Sequence, residues 1–488
     1  MPDYGAACQP RTDESLIEHK GNSPRNIYVW LLLAVALLAA YVSAAQTTAE
    51  PQQQQAKPPS EFKVQPLPQQ KLTPKQAAEL FKSADEILQF VSKDTGLPIK
   101  HKVTCELASR DEVVRYVTQK MAEDEDTQRL ERAAVSLKKF GLLPRDFELR
   151  PYLLALLKEQ VAGFYDSKTK KLYLLDWVDP ESQKAVLAHE LTHALQDQNF
   201  DILKWAEGSG KPKTDAEIIA HDEEASAKQA VIEGQAMITL LNYSLAPLGG
   251  SVLDSPQIVE AMKAGMVTGG GSPIYDQAPL FMRQAIIFPY QHGMDFVRGV
   301  LVKRGRDAAF AGTMRNPPKN SRQIMMPETY VAGERLPAMP LIEADKLVGK
   351  GYERYDFGGI GQFDIGVMIE EWAGEGRQLN VAPGWRGGYY WTGRKRGAMD
   401  GPVSMIFVTR WASETQASQF ASAYTKAIPK RYAKASAVKE FGESRGEWTT
   451  EEGSVRLSVK GELVIAIEGF ERDISDKIEQ AVIKAGNK

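Results

Sequence analysis

The stretch AVLAHELTHALQDQNF, residues 185–200, sets His189 and His193 four residues apart with Glu190 beside the first, in a chain of six histidines. On a helix, positions i and i+4 lie one above the other on one face, so two neutral imidazoles there can hold one metal ion. Glu190 is turned about 100° from His189, beside such an ion rather than on it. From there it can take a proton from metal-bound water, the chemistry attached to H-E-x-x-H. A catalytic zinc ion takes a third protein ligand and keeps one position open. Glu233, 40 residues after His193 in ASAKQAVIEGQAMITLLNY, is the candidate. His221 and Asp222 lie where that second helix is expected to begin. Asp222, 11 residues before Glu233 and on the same face, is a candidate either to orient a ligand histidine or to cap the helix. The plain alternative is an ordinary amphipathic helix that carries two surface histidines.

The elements that must position these groups are partly readable. Residues 182–198 contain no Pro or Gly and are rich in Ala, Leu, Gln and Glu, which predicts a helix. GFYDSKTKKLYLLD, residues 163–176, reads as a β-hairpin that ends 13 residues before His189. Its outer strand is expected to be a sheet edge along which an extended peptide can pair; a plain structural hairpin is the alternative. Before it, Thr73-Pro74 opens a helix that Gly96 and Pro98 end, and further helices are expected near 109–120, 127–140 and 151–161. VTGGGSPIYDQAP, residues 267–279, reads as a flexible loop and lacks the lysine of a phosphate loop.

AHELTHALQD resembles the active-site helix of thermolysin-like gluzincin metallopeptidases. Together with the GFYD hairpin and VIEGQA, the run is similar to a family of exported bacterial proteins with a gluzincin domain, over residues 113–330. The resemblance implies Zn2+ held by His189, His193 and Glu233, with Glu190 as general base. It also implies an oxyanion donor C-terminal to the third ligand, for which Tyr290 and His292 in IIFPYQHGMDFV are candidates and Arg322 a weaker one. The competing readings are Tyr290 packed in a helix-start turn after Pro289 and His292 as a surface or satisfied residue. Two departures stand out. Similar proteins often carry an acidic residue where Gln235 stands, and histidine where Met326 stands in PPKNSRQIMMPETY.

The rest of the chain supplies context. It has 488 residues and a net charge of −3, which gives no reason to expect nucleic acid. Its two cysteines, Cys8 and Cys105, flank an apolar run, so neither a disulfide nor a cysteine metal site is expected. That run, residues 27–45, is 19 uncharged residues, close to the roughly 20 that span a bilayer. Arg11, Lys20 and Arg25 precede it and the next basic residue is Lys57, which places 1–26 in the cytoplasm and the body outside. The length of the run favours a single-pass anchor in the cell membrane. Ser43-Ala44-Ala45 also fits cleavage near Ala45, which would give a secreted or periplasmic form. Residues 46–72 read as a disordered Gln/Pro-rich tether.

The expected architecture is α+β: a mainly helical, zincin-type domain over 73–350 with a small edge-strand hairpin, then a smaller α+β domain over 351–488. In the latter, GGYYWTG, VSMIFVTRW and 445–470 read as strands, 413–432 and 471–486 as helices, and Arg394, Lys395 and Arg396 as a solvated hairpin tip. The function expected is zinc-dependent hydrolysis of a peptide or protein substrate. The alternatives are a non-catalytic, metal-stabilised binding or assembly protein of the cell envelope, or a zinc hydrolase of a non-peptide amide. Nothing in the sequence sets an oligomeric state.

Overall fold

A computed structural model describes residues 71–487, apart from 124, 161–162, 179, 209, 211, 269–271, 375–380, 399 and 441–445. The expected anchor or signal at 27–45 and nearly all of the tether lie outside the described residues. No helix among the described residues is long and apolar enough to cross a membrane.

The chain is α+β. It opens with α1 (Pro74–Thr95), where Thr73 and Gln76 cap each other and Gly96 ends the helix at φ 75°. Strand β1 (Thr104–Ala108) follows, then α2 (Arg110–Glu123), α3 (Glu125–Phe140) and α4 (Leu149–Gln160). The expected hairpin is present as β2 (Gly163–Asp166) and β3 (Lys171–Leu175), paired antiparallel. β1 adds to β3 in parallel, so the sheet order is β1-β3-β2 and β2 is an edge.

Helix α5 (Pro180–Phe200) carries His189 and His193. Residues 186–197 of it are buried almost without interruption, polar ones included, so it is a core helix rather than a surface one. Leu187, Leu191, Ala194 and Leu195 meet Leu80, Phe81, Leu88 and Val91 of α1 in one apolar cluster. After the short α6 (Ile202–Glu207) comes α7 (Asp215–Leu245), whose first turn is closed by a capping box of Thr214 and Glu217. The helix therefore starts seven residues before Asp222, and Asp222 is not its cap. α8 (Pro256–Val267) and α9 (Leu280–Arg304) follow. Pro289 lies inside α9, so Tyr290 is in mid-helix and not in a helix-start turn. α9 crosses α7 with backbones in contact: a Cβ on Gly234 would lie 2.2 Å from the Gly293 carbonyl oxygen. A π-helical turn, Ala308–Gly312, and several short helical turns lead to the second half.

That half is a seven-stranded antiparallel sheet of β4 (Tyr352–Gly359), β5 (Trp385–Lys395), β6 (Ser404–Trp411), β7 (Ala435–Glu440), β8 (Gly446–Thr450), β9 (Gly453–Lys460) and β10 (Leu463–Glu468), in the order β4-β5-β6-β10-β9-β8-β7. Period-2 alternation sorts its two faces. Met405, Phe407, Val464 and Ala466 face α10 (Gln362–Ala373) and α11 (Glu414–Arg431). Ile406, Val408, Ile465 and Ile467 face α12 (Arg472–Gly486). β4 and β7 were not expected from sequence. The first face also takes in Phe140 and Leu142 from the end of α3, so the two halves share a core.

Candidate metal centre

α5 and α7 bring three donor atoms together. His189 Nε2 and His193 Nε2 are 3.0 Å apart, and Glu233 Oε2 lies 3.2 and 3.6 Å from them. His189 and Glu233 are fully buried, and Glu190 and His193 are 1% exposed. Ligand atoms of His189, Glu190 and His193 all lie within 4.8 Å of one another, an arrangement that can hold a metal ion. Among the described residues Glu233 Oε1 and His189 Nδ1 have no hydrogen-bond partner. Buried polar atoms without partners are costly in a protein interior, and a bound cation would relieve such a site.

Two carboxylates compete for the role of third ligand, and their surroundings differ. Glu190 Oε2 accepts the Tyr165 backbone N–H of β2 at 2.8 Å, while its Oε1 has no partner among the described residues. Glu233 instead points an oxygen at both imidazole nitrogens. Glu233 Oε2 thus faces both imidazole nitrogens, while Glu190 is held beside them by the hairpin.

The electrostatics follow from burial. Burial pushes His189 down to about 4 and pushes the Glu190 carboxyl up to about 8. Burial also opposes charge on His193, but Glu233 outweighs it and lifts His193 to about 9. Burial likewise disfavours the Glu233 carboxylate, yet the adjacent His193 carries it below the usual glutamate value. Each of the two thus favours the charged form of the other.

The remaining predicted residues separate. Tyr290 is brought to the centre: its ring stacks near His189 at 6.4 Å between centroids, and its hydroxyl is pushed well up by burial and by Glu233 and Glu190. His292 is not. Two residues further on, it sits about 200° around the helix, against Phe288, with Asp295 and Lys263 as its charged neighbours. Asp222 does not orient a ligand histidine; it accepts the Gly359 N–H at 3.0 Å, at the seam with the sheet half. Arg322 is no oxyanion donor either, being engaged with Glu334, Gln362 and the Pro383 carbonyl.

Sequence reasoning missed three residues. Asp197 Oδ2 accepts from the Tyr165 hydroxyl at 2.7 Å and the Lys170 ammonium at 2.6 Å, tying the hairpin to α5. Gln196 Oε1 faces His193 Nδ1 at 2.9 Å. Both lie on α5 within one turn of His193, a spacing that could have flagged them. Tyr165 reaches Glu190 through its backbone N–H, and no side-chain pattern marks that.

Residues 352–479 match a family described as a domain of unknown function (DUF8575). The match spans β4 to α12 and so coincides with the sheet half rather than the metal centre. No curated protein and no solved structure matches the chain.

Proposed function

We propose that this chain is a zinc-dependent, gluzincin-type peptidase, with His189, His193 and Glu233 as ligands. One observation carries the reading: the donor triangle has edges of 3.0, 3.2 and 3.6 Å. Ligand distances of about 2.0–2.1 Å at tetrahedral angles set donor separations of roughly 3.3 Å. Two imidazoles and a carboxylate on this scale suit zinc, which when bound supplies Lewis acidity toward a carbonyl group and toward water.

The chain's own groups divide the rest of the work. Glu190, pinned through Oε2, takes a proton at Oε1 and returns it to the departing amine. The Tyr290 hydroxyl, kept protonated, donates to the oxyanion. The edge of β2 orients an extended peptide. Its Tyr165 N–H serves Glu190, and the Tyr165 carbonyl, on the same side of the strand, accepts from substrate backbone. The apolar run at 27–45 supports an exported body held at the membrane or released from it.

The burial of all four central side chains favours a second reading, a closed metal site that only stabilises the fold. One comparison separates the two. Wild type and Glu190→Gln, brought to equal zinc content, are assayed on a peptide library. The peptidase reading expects cleavage by wild type and a loss of about 10²–10⁴-fold in the variant. Full zinc with no cleavage by either protein refutes the peptidase reading.

A further inference from the structure

We infer that His193 is held in its metal-binding tautomer by a relay of two buried glutamine amides, Gln196 and Gln235, anchored in the π-helical turn Ala308–Gly312. The inference rests on the zinc reading and extends it to residues outside the ligand set.

The direction of each bond is fixed from the far end. The carbonyls of Ala309 and Phe310 can only accept, and each lies 3.0 Å from Gln235 Nε2. The Thr313 hydroxyl directs its proton to these same carbonyls, at 2.7 and 3.1 Å, so it accepts from Gln235 Nε2 at 2.9 Å. The Gln235 amide oxygen therefore faces the other way and accepts from Gln196 Nε2 at 2.8 Å. The Ile232 carbonyl, 3.1 Å from that same nitrogen, fixes the Gln196 amide independently. Gln196 Oε1 is thus the atom that meets His193 Nδ1. An amide oxygen only accepts, so Nδ1 carries a hydrogen and Nε2, which faces His189 Nε2 and Glu233, is the nitrogen left to bind a metal ion. Gln196, Gln235 and Thr313 are fully buried, so breaking any link leaves an unmet polar group.

The relay also explains an amide at position 235. A carboxylate there would face the Ala309 and Phe310 carbonyls with no proton to offer them. The amide is matched to the π-turn, and its presence is compatible with a working metal site.

Zinc affinity, measured by chelator competition, tests this in wild type, Gln196→Met, Gln235→Met and the double variant. Each single variant is expected to bind roughly 10- to 100-fold more weakly. The double is expected to bind no more weakly than the worse single, because both break one chain. Affinity within about twofold of wild type in either single, or losses that multiply in the double, overturns the relay. A second readout needs neither zinc nor a foldable variant at position 235. In metal-free wild type with 15N-labelled histidine, His193 is expected to show an exchange-protected Nδ1–H that Gln196→Met loses. Absence of that resonance in wild type overturns the relay even if zinc binds. Its presence in a protein that binds no zinc keeps the hydrogen-bond relay and refutes the zinc reading instead.

Discussion

Glu190 and Glu233 are chemically alike and buried against the same two imidazoles, and their surroundings differ. Glu190 is anchored by the Tyr165 N–H, whereas Glu233 turns Oε2 toward both imidazole nitrogens. The same separation divides Tyr290 from His292. Tyr290→Phe removes a donor beside the centre and keeps the ring. It is expected to leave zinc content unchanged and lower peptide hydrolysis by about 10²–10³-fold. His292→Ala is expected to stay within about twofold of wild type, since His292 lies about 200° around α9 from Tyr290; steady-state kinetics on one peptide compares the two. At this scale the sequence was informative where spacing alone sets geometry. His189, Glu190 and His193 share one helix, so period 3.6 places them. Choosing between Tyr290 and His292 needed the phase of α9 against α7, which no local pattern carries.

At the scale of elements, the centre depends on how closely α7 and α9 cross. Gly234 follows Glu233 directly, and a Cβ on it would press into the Gly293 backbone. Gly234→Ala is therefore expected to cost about 3 kcal/mol or more of stability, at the upper end of overpacking effects, and to weaken zinc binding with it. Denaturant unfolding of the metal-free protein reads the first and chelator competition the second. The hairpin makes a separate prediction. Asp197 holds Tyr165 and Lys170, and Lys170 sits at φ 58°, a left-handed conformation that side chains disfavour. Asp197→Ala is expected to release the hairpin, so the Tyr165 amide exchanges with solvent faster than in wild type; an unchanged exchange rate would show that other contacts hold it. The hairpin and α5 were legible because each is a local pattern. β1 was not, because five residues paired in parallel to a strand more than 60 positions later leave no local signal. The start of α7 was missed although Thr214 and Glu217 form a T-x-x-E signature, because its first turns are polar and the apolar run begins only further along.

Over the whole molecule, the helical half and the sheet half meet along the first part of α7. Arg354 of β4 grips Asp215 with two bonds of 2.8 and 3.0 Å. Glu223 accepts from the Ser321 N–H and hydroxyl at 3.0 and 2.9 Å, and Gly361 comes so close that a Cβ there would lie 2.2 Å from Glu223 Oε1. Burial pushes Glu223 up to about 8 and the neighbouring Asp364 up to about 6. Between pH of about 4 and these values, each carboxyl keeps a proton that the unfolded chain has lost. Their stabilisation is complete below pH of about 4 and falls as pH rises through 6 for Asp364 and 8 for Glu223. Between these values the Glu223 contribution is expected to fall by roughly 1 kcal/mol per pH unit. Glu223→Gln keeps an acceptor for Ser321 and removes the titration, so its unfolding midpoint should vary less between pH 6 and 8 than that of wild type. An unchanged slope would contradict this account of the seam. In the sequence the strand-like texture of the second half begins only with GGYYWTG, and β4, which begins at Tyr352, carried no such signal. The shared core around Phe140 was hidden, because it joins side chains more than 200 positions apart in the chain.

The most direct measurement is zinc stoichiometry by elemental analysis of wild type, Glu233→Ala and His221→Ala, purified without added metal. The account predicts about one zinc per chain for wild type and His221→Ala, and loss of zinc for Glu233→Ala, because Glu233 closes the donor triangle and His221 lies outside it. Zinc retained by Glu233→Ala, or none bound by wild type, would contradict it.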